Sequence, residues 1–366
     1  MKTIVIYTQG GIQSAVFRYR FFQYFNKIDC CCKYRKALPD MVYEKIMPIG
    51  EKNIFVKVYA FMVMMIRVSF QLLHDTISKP DCLIISRILG KRYLPIYFCW
   101  LLKLLKKRQT KIVWDFDDDI LEMKELSRDA FDFLSLISDK IVIASPYLKA
   151  LIREPFLDKI VYLPTTDGML LSEICKKDKE EKISKYDKEI NLLWIGTSSS
   201  LHFVSKILPH IEKAGKILRS KGKSLNFLFV CNRTLNYDSR FFNLQNIKWS
   251  QENATMAFKK AHIGLMPLDN SRLSRGKGGF KLIQYMSVSV PTIASSVGIN
   301  RALLKGGGGY LIDNLDSLDW CTAIVRLSSS IELWNSFSQK AFRSYNTGCS
   351  FLENLKKWKT IVGVPD

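Results

Sequence analysis

The stretch Asn191-Leu-Leu-Trp-Ile-Gly-Thr197 decides the fold. Asn191–Ile195 reads as a short buried strand, and Gly196 as the turn that ends it. The strand follows Lys176–Glu189, where most residues are charged and a solvated linker or surface hairpin is expected. It is decisive because an alternation of strands and helices, already run through once upstream, begins again here.

Upstream, apolar runs bounded by turns or charges recur at Thr3–Tyr7, Cys82–Ser86, Lys111–Trp114, Lys140–Ala144 and Ile160–Leu163. Helical segments such as Ala15–Phe25, Phe55–Leu73 and Asp129–Ile137 lie among them. Downstream, Leu225–Val230, Ile263–Met266, Thr292–Ala294 and Tyr310–Ile312 are strand-like, with Val204–Leu218 and Ala254–Lys260 as helical spacers. Short buried strands separated by helices imply α/β domains with parallel sheets covered on both faces. The expected organisation is a doubly wound domain over residues 1–165, a charged linker at 166–190, and a second doubly wound domain over 191–348. A last helix within 349–366 is expected to pack back on the first domain through Trp358.

The totals agree with two domains: 366 residues exceed one ordinary core, and 48% hydrophobic residues exclude a disordered chain. The formal charge of +21 calls for an anionic partner, whether nucleic acid, phosphorylated substrate or acidic lipid. Nine cysteines, three of them adjacent at Cys30, Cys31 and Cys32, show neither metal spacing nor a disulfide framework and suggest a reducing cytoplasm. No signal peptide is expected, and the uncharged apolar runs Val58–Ile66 and Tyr93–Leu102 are about half the ~20 residues of a membrane span. A soluble or peripheral protein is expected. The absence of Gly-x-Ser-x-Gly and Walker sequences argues against hydrolase and kinase-like classes. His74, His202, His210 and His262 lack metal spacing; His262, ahead of a buried strand, reads as structural.

The richest chemistry lies in Ser274-Arg-Gly-Lys-Gly-Gly-Phe-Lys-Leu-Ile-Gln-Tyr-Met286. Glycines at 276, 278 and 279 let the backbone approach a ligand and expose amides at a helix start, an arrangement that favours phosphate. With a helix beginning near Lys277, Lys277, Lys281 and Gln284 would share one face. Two cations below a glycine turn suit a diphosphate, and the amide one turn on would reach a ribose hydroxyl. The plain alternative is a glycine helix start with solvated lysines.

Several segments in consistent order resemble the donor region of family 4 (group 1) glycosyltransferases. They are Ala261-His-Ile-Gly-Leu-Met-Pro-Leu268, Arg275-Gly-Lys277, Lys281-Leu-Ile-Gln-Tyr-Met286 and Pro291-Thr-Ile-Ala-Ser-Ser-Val-Gly298. Asn191–Thr197 is similar to the family's first donor-domain strand and turn, Val113-Trp-Asp-Phe-Asp-Asp-Asp119 to an Asp-rich turn of one bacterial branch, and Val161-Tyr-Leu-Pro-Thr165 to the interdomain exit. The resemblance implies the GT-B fold, two Rossmann-like domains whose parallel sheets face each other across a cleft. It also implies a retaining transfer of sugar from a nucleotide-diphosphate donor to a glycan or polyprenyl-diphosphate-linked acceptor in bacterial surface-polysaccharide synthesis, with no cofactor or metal required. Gly276, Lys277, Gly278, Gly279 and Phe280 would meet the donor phosphates together with Arg275 and Lys281, while Gly196 and Thr197 approach the same diphosphate. Gln284 stands where many members carry a ribose-binding glutamate, and Gly276 where many carry an earlier glutamate near the sugar. Thr197-Ser-Ser-Ser-Leu201 replaces the Arg and Lys usual after the first donor-domain strand, and Lys277 and Lys281 are the candidates to supply that charge.

Asp115, Asp117, Asp118 and Asp119 end a buried strand, where parallel sheets bind ligands. The resemblance puts Asp117 and Asp118 in the place of the family's His-Asp, as catalytic carboxylates that orient sugar or acceptor hydroxyls. An Asp-x-Asp metal site and acids capping a helix start are the alternatives. Gly10 and Gly11, followed by a helix with Arg18 and Arg20, resemble the family's acceptor-side loop; a plain strand-to-helix turn is the alternative.

From Lys91 to Lys111 seven Lys or Arg and no acid surround Tyr93–Leu102, which suits an anionic membrane interface on the inner face of the cytoplasmic membrane. Phe55–Leu73 would add an apolar face; helices covering the sheet, with solvated lysines, are the alternative. Three further readings stay open, a nucleic-acid-binding protein, an inactive GT-B scaffold and a sugar-nucleotide epimerase of the same fold class. The basic residues follow no RNA-recognition or helix-turn-helix pattern, so no nucleic acid is expected.

Overall fold

The computed structural model describes residues 1–46, 53–90 and 92–365, and Lys91 of the basic stretch lies outside them. Contacts divide the chain into two compact units. One is Met1–Thr165 with Gly276–Gly278 and Phe351–Asp366; the other is Thr166–Arg275 with Gly279–Ser350.

The first unit holds six parallel strands: β1 (Thr3–Thr8), β2 (Cys31–Lys36), β3 (Cys82–Ser86), β4 (Lys111–Phe116), β5 (Lys140–Ile143) and β6 (Ile160–Tyr162), in the order β2-β1-β3-β4-β5-β6. Every residue of β3 is buried, which is why this strand reads as an unbroken apolar run: helices cover both faces of the sheet. On one face, Phe21 and Phe25 pack against Trp358 of the last helix, Phe351–Val362, with ring centroids 5.7 and 5.4 Å apart. Tyr24 stacks on Phe351 at 4.8 Å, and Asn354 donates to the Pro164 carbonyl at 2.7 Å. β2 was not expected. Its Cys-Cys-Lys-Tyr-Arg-Lys run is half exposed on the sheet edge, so it lacks the apolar signal of its neighbours.

The second unit also has six parallel strands: β7 (Glu189–Ile195), β8 (Ser224–Cys231), β9 (Asn243–Lys248), β10 (Ile263–Met266), β11 (Thr292–Ser295) and β12 (Gly309–Ile312). The order β12-β11-β10-β7-β8-β9, counted from this unit's first strand, is the 3-2-1-4-5-6 arrangement of a Rossmann fold. β9, mostly polar and at the edge, again escaped the sequence reading. His262 is structural: its Nδ1 accepts from the Asn191 amide at 3.0 Å, its Nε2 meets the Lys182 carbonyl at 3.0 Å, and burial pushes its pKa down to about 4.

Two expectations are corrected. The charged stretch is not a surface hairpin: within it Lys176–Lys185 is a helix, started by Asp178, which accepts from the Cys175 amide at 2.8 Å. The expectation that no segment reaches span length also fails. The helix Ile54–Ser78 has 25 residues and is long and apolar enough to cross a membrane, because Lys57 and Arg67 interrupt the sequence run without ending the helix. Asn53 caps its start, accepting from the Phe55 amide, and Lys79 closes it in a left-handed conformation.

Candidate functional site

In open parallel sheets ligands bind beyond the carboxyl ends of the strands, where the winding reverses. In the second unit this point lies between β7 and β10. β7 ends in Gly196 and the exposed Thr197, whose hydroxyl pairs with Ser199 at 2.8 Å. A Cβ on Gly196 would fall 2.7 Å from the Trp194 ring and 2.8 Å from Lys281 Cε, so the close approach requires glycine. The Lys281 ammonium sits over the same indole, 5.4 Å from its centroid. Beyond β10, Asp269 accepts from the hydroxyls of Ser271 at 2.6 Å and Ser274 at 2.5 Å. Burial alone would raise its pKa, but these hydrogen bonds and the nearby His202 hold the carboxylate below its ordinary range.

The helix carrying Lys281 and Gln284 runs Phe280–Ser287, three residues later than expected. Gly279 takes a left-handed conformation (φ 70°) as its N-cap, which breaks the chain direction ahead of the helix. Lys277 is therefore not on the helical face with Lys281 and Gln284. Gly276, Lys277 and Gly278 form the loop after the short helix Arg272–Arg275, and their contacts group them with the first unit. Arg275 is exposed. Gln284 is buried and donates from Nε2 to Asp167 Oδ2 at 2.8 Å, while Asp167 Oδ1 caps a helix at the Leu170 amide.

In the first unit the winding reverses between β1 and β3. β1 leads into Gly10 and Gly11, both buried, against Tyr43 and Asp40 respectively. The two arginines beyond them turn inward instead of presenting charge to an acceptor. Arg18 donates to the Ile12 carbonyl, and Arg20, with no exposed surface, forms an ion pair with Asp115 and donates to the Leu163 carbonyl and Thr165 hydroxyl. Phe17–Phe22 is a π-helix, and this wider turn carries both side chains into the interior.

β3 leads into Arg87, which the sequence reading missed. Arg87 is buried with φ 60°, a left-handed backbone uncommon for a residue other than glycine. Its guanidinium donates to Asp117 at 2.7 Å, Asp118 at 3.2 Å and both oxygens of Glu125 at 2.9 and 3.1 Å. The pattern that marks it is a lone basic residue at the end of Cys82-Leu-Ile-Ile-Ser86. Asp117 and Asp118 are partly exposed at 19% and 35%, while Asp115 and Asp119 are buried. Asp119 accepts from the Glu122 amide at 2.9 Å, a turn-capping role. Burial and the Asp117 charge raise the Asp118 pKa, and Arg87 opposes them. Among the described residues no group of three or more His, Cys, Asp or Glu is placed to hold a metal ion.

Residues 190–330 match a family model described as glycosyl transferases group 1. No curated protein matches the chain by sequence. Among solved structures, the chain is similar to Anabaena HepE in complex with UDP and glucose, at 8% identity over 99% of this chain and 100% of that one, with a TM-score of 0.66. It is similar to a glycosyltransferase from Rickettsia africae at 13% identity over 99% and 98%, TM-score 0.60. Sucrose-phosphate synthase from Thermosynechococcus elongatus follows at 11% identity over 99% and 98%, TM-score 0.62. At such identities the likeness is one of fold, two Rossmann-like α/β domains, whereas the family match bears on the second unit directly. Residues 190–330 match the group 1 glycosyl transferases, and the chain has the fold of the GT-B glycosyltransferases, two Rossmann-like α/β domains.

Proposed function

We propose that this enzyme transfers a sugar from a nucleotide-diphosphate donor to a glycan or lipid-linked saccharide, with retention, in bacterial cell-surface polysaccharide synthesis at the inner face of the cytoplasmic membrane. The observation that carries the reading is the placement of Gly196 and Lys281 together at the reversal point of a group 1 glycosyl transferase domain. A glycine allows a diphosphate to approach the backbone, and the adjacent ammonium supplies charge that the Ser-rich turn after β7 lacks. Similar structures hold UDP with glucose, and UDP-glucose. Arg275, Lys277 and the backbone of Gly276–Phe280 complete the phosphate contacts, with no metal or cofactor needed. Gln284, with Nε2 given to Asp167, offers Oε1 to a ribose hydroxyl.

Asp117 and Asp118 act on the acceptor or the sugar. Arg87 fixes their geometry, and the raised Asp118 pKa suits a carboxyl that takes a hydroxyl proton as the new glycosidic bond forms. Thermal-shift titration against UDP-, GDP-, ADP- and CDP-sugars, with RNA alongside, tests the proposal. Stabilisation by one nucleotide sugar supports it; stabilisation by RNA alone overturns it.

A further inference from the structure

The helix Ile54–Ser78 divides sharply by face. Ala60, Met64, Val68, Leu72 and Asp75 are buried against the first unit's core, whereas Phe55, Tyr59, Met62, Ile66, Phe70 and Leu73 are exposed, each by half or more of its surface. Their spacing of four, three, four, four and three residues traces one continuous stripe. The next helix, Ile96–Lys107, lies beside it, joined by the Ser69 and Tyr97 hydroxyls at 2.9 Å, and adds Ile96 and Trp100 at 88% and 63% exposure. An apolar groove of about 290 Å³ runs between the helices, lined by Phe70, Leu73, Tyr97 and Trp100. Contiguous apolar surface of this extent is not left to water in a soluble monomer.

We infer that this two-helix face is a monotopic lipid-docking surface, inserted side-on into an anionic bilayer interface. Charge identifies the occupant. Every exposed ionic residue of the two helices is basic, namely Lys57, Arg67, Lys103 and Lys107, which complements anionic headgroups around an apolar, aromatic insertion face. A second copy meeting the same face would bring like charges together. The long helix does not span the bilayer, because its inner face carries Asp75, which accepts from Tyr7 at 2.7 Å and Arg35 at 2.9 Å. Threading the helix through lipid would strip those partners from a buried carboxylate. The inference rests on the membrane setting proposed above and names the surface that meets the lipid; nothing in it depends on the donor.

Trp100 supplies the probe: of the seven tryptophans, Trp249 is half-buried and the other five are fully buried. The full chain is mixed with phosphatidylglycerol-containing or pure phosphatidylcholine vesicles and sedimented, with brominated lipids as fluorescence quenchers. The expected result is salt-sensitive sedimentation at least about tenfold stronger with the anionic vesicles, and quenching that disappears in Trp100→Phe while sedimentation persists. Phe55→Ser/Phe70→Ser, two exposed positions outside the buried core, abolishes sedimentation while the circular dichroism stays unchanged. Equal sedimentation of the double variant, no binding to anionic vesicles, or release of bound protein by detergent alone and not by alkaline salt would overturn the inference. So would a dimer in lipid-free solution that the double variant dissociates. Nucleotide-sugar binding measured without vesicles separates the outcomes: retained there, its loss is not the cause of a failed vesicle result.

Discussion

Arg87 Nη1 lies 2.7 Å from Asp117 Oδ1, and the residue that makes this contact holds a left-handed backbone at φ 60°. The same guanidinium binds Asp118 and Glu125, so one buried cation at the end of β3 organises the three carboxylates that face it. The backbone conformation and the acid cluster explain each other: the turn that costs strain is the one that aims the guanidinium at all three.

Replacing Arg87 by Met should therefore cost about 3 kcal/mol, the scale of breaking a buried ion cluster by removing one partner. Urea unfolding measures it. With Arg87 no longer opposing burial and the Asp117 charge, the acid limb of the transfer rate should move to higher pH.

Asp118→Asn should leave donor affinity within experimental error and lower the transfer rate by about a hundredfold, the low end for a lost acid–base group. Calorimetry on the donor and a turnover assay give the two numbers. Normal turnover would reduce the pair to a structural ion cluster.

His262 sets an acid limit on the second unit. It faces Lys182, Lys185 and Lys223 in a buried site, and its pKa falls from 6.5 to about 4. Because the folded pKa lies below the unfolded one, stability is fully present above about pH 6.5 and declines as the pH falls toward 4, by up to about 3 kcal/mol. Thermal unfolding between pH 7 and pH 4, where roughly that loss is expected, checks the sign as well as the size.

Trp358 has no exposed surface and packs on Phe21 and Phe25. Trp358→Ala should cost about 3 kcal/mol or more and free the last helix to proteases. Limited proteolysis that still spares residues 351–362 would show that Asn354 and Phe351 suffice to hold it.

Much of the fold was legible because buried parallel strands write themselves as apolar runs: β3 and β10 were read at their true limits. The edge strands β2 and β9 were not, since polar residues on a half-solvated edge carry no such run. At the site, the glycine turn after β7 and the helix bearing Lys281 were visible as residue types in order. The left-handed Gly279, which delays that helix and separates Lys277 from its face, is a backbone choice that spacing alone does not reveal. Arg20 shows the converse: a basic residue after a glycine turn looks like a ligand contact until the π-helix places it against Asp115.

The most direct test of the central claim is calorimetric titration of UDP-glucose and the GDP-, ADP- and CDP-sugars into the wild type, Lys281→Ala and Lys277→Ala. Saturable binding of one nucleotide sugar is expected, weakened by about tenfold or more in each variant, the worth of one charge-assisted hydrogen bond. Full affinity in folded Lys281→Ala, or no binding of any nucleotide sugar to the wild type, would contradict it.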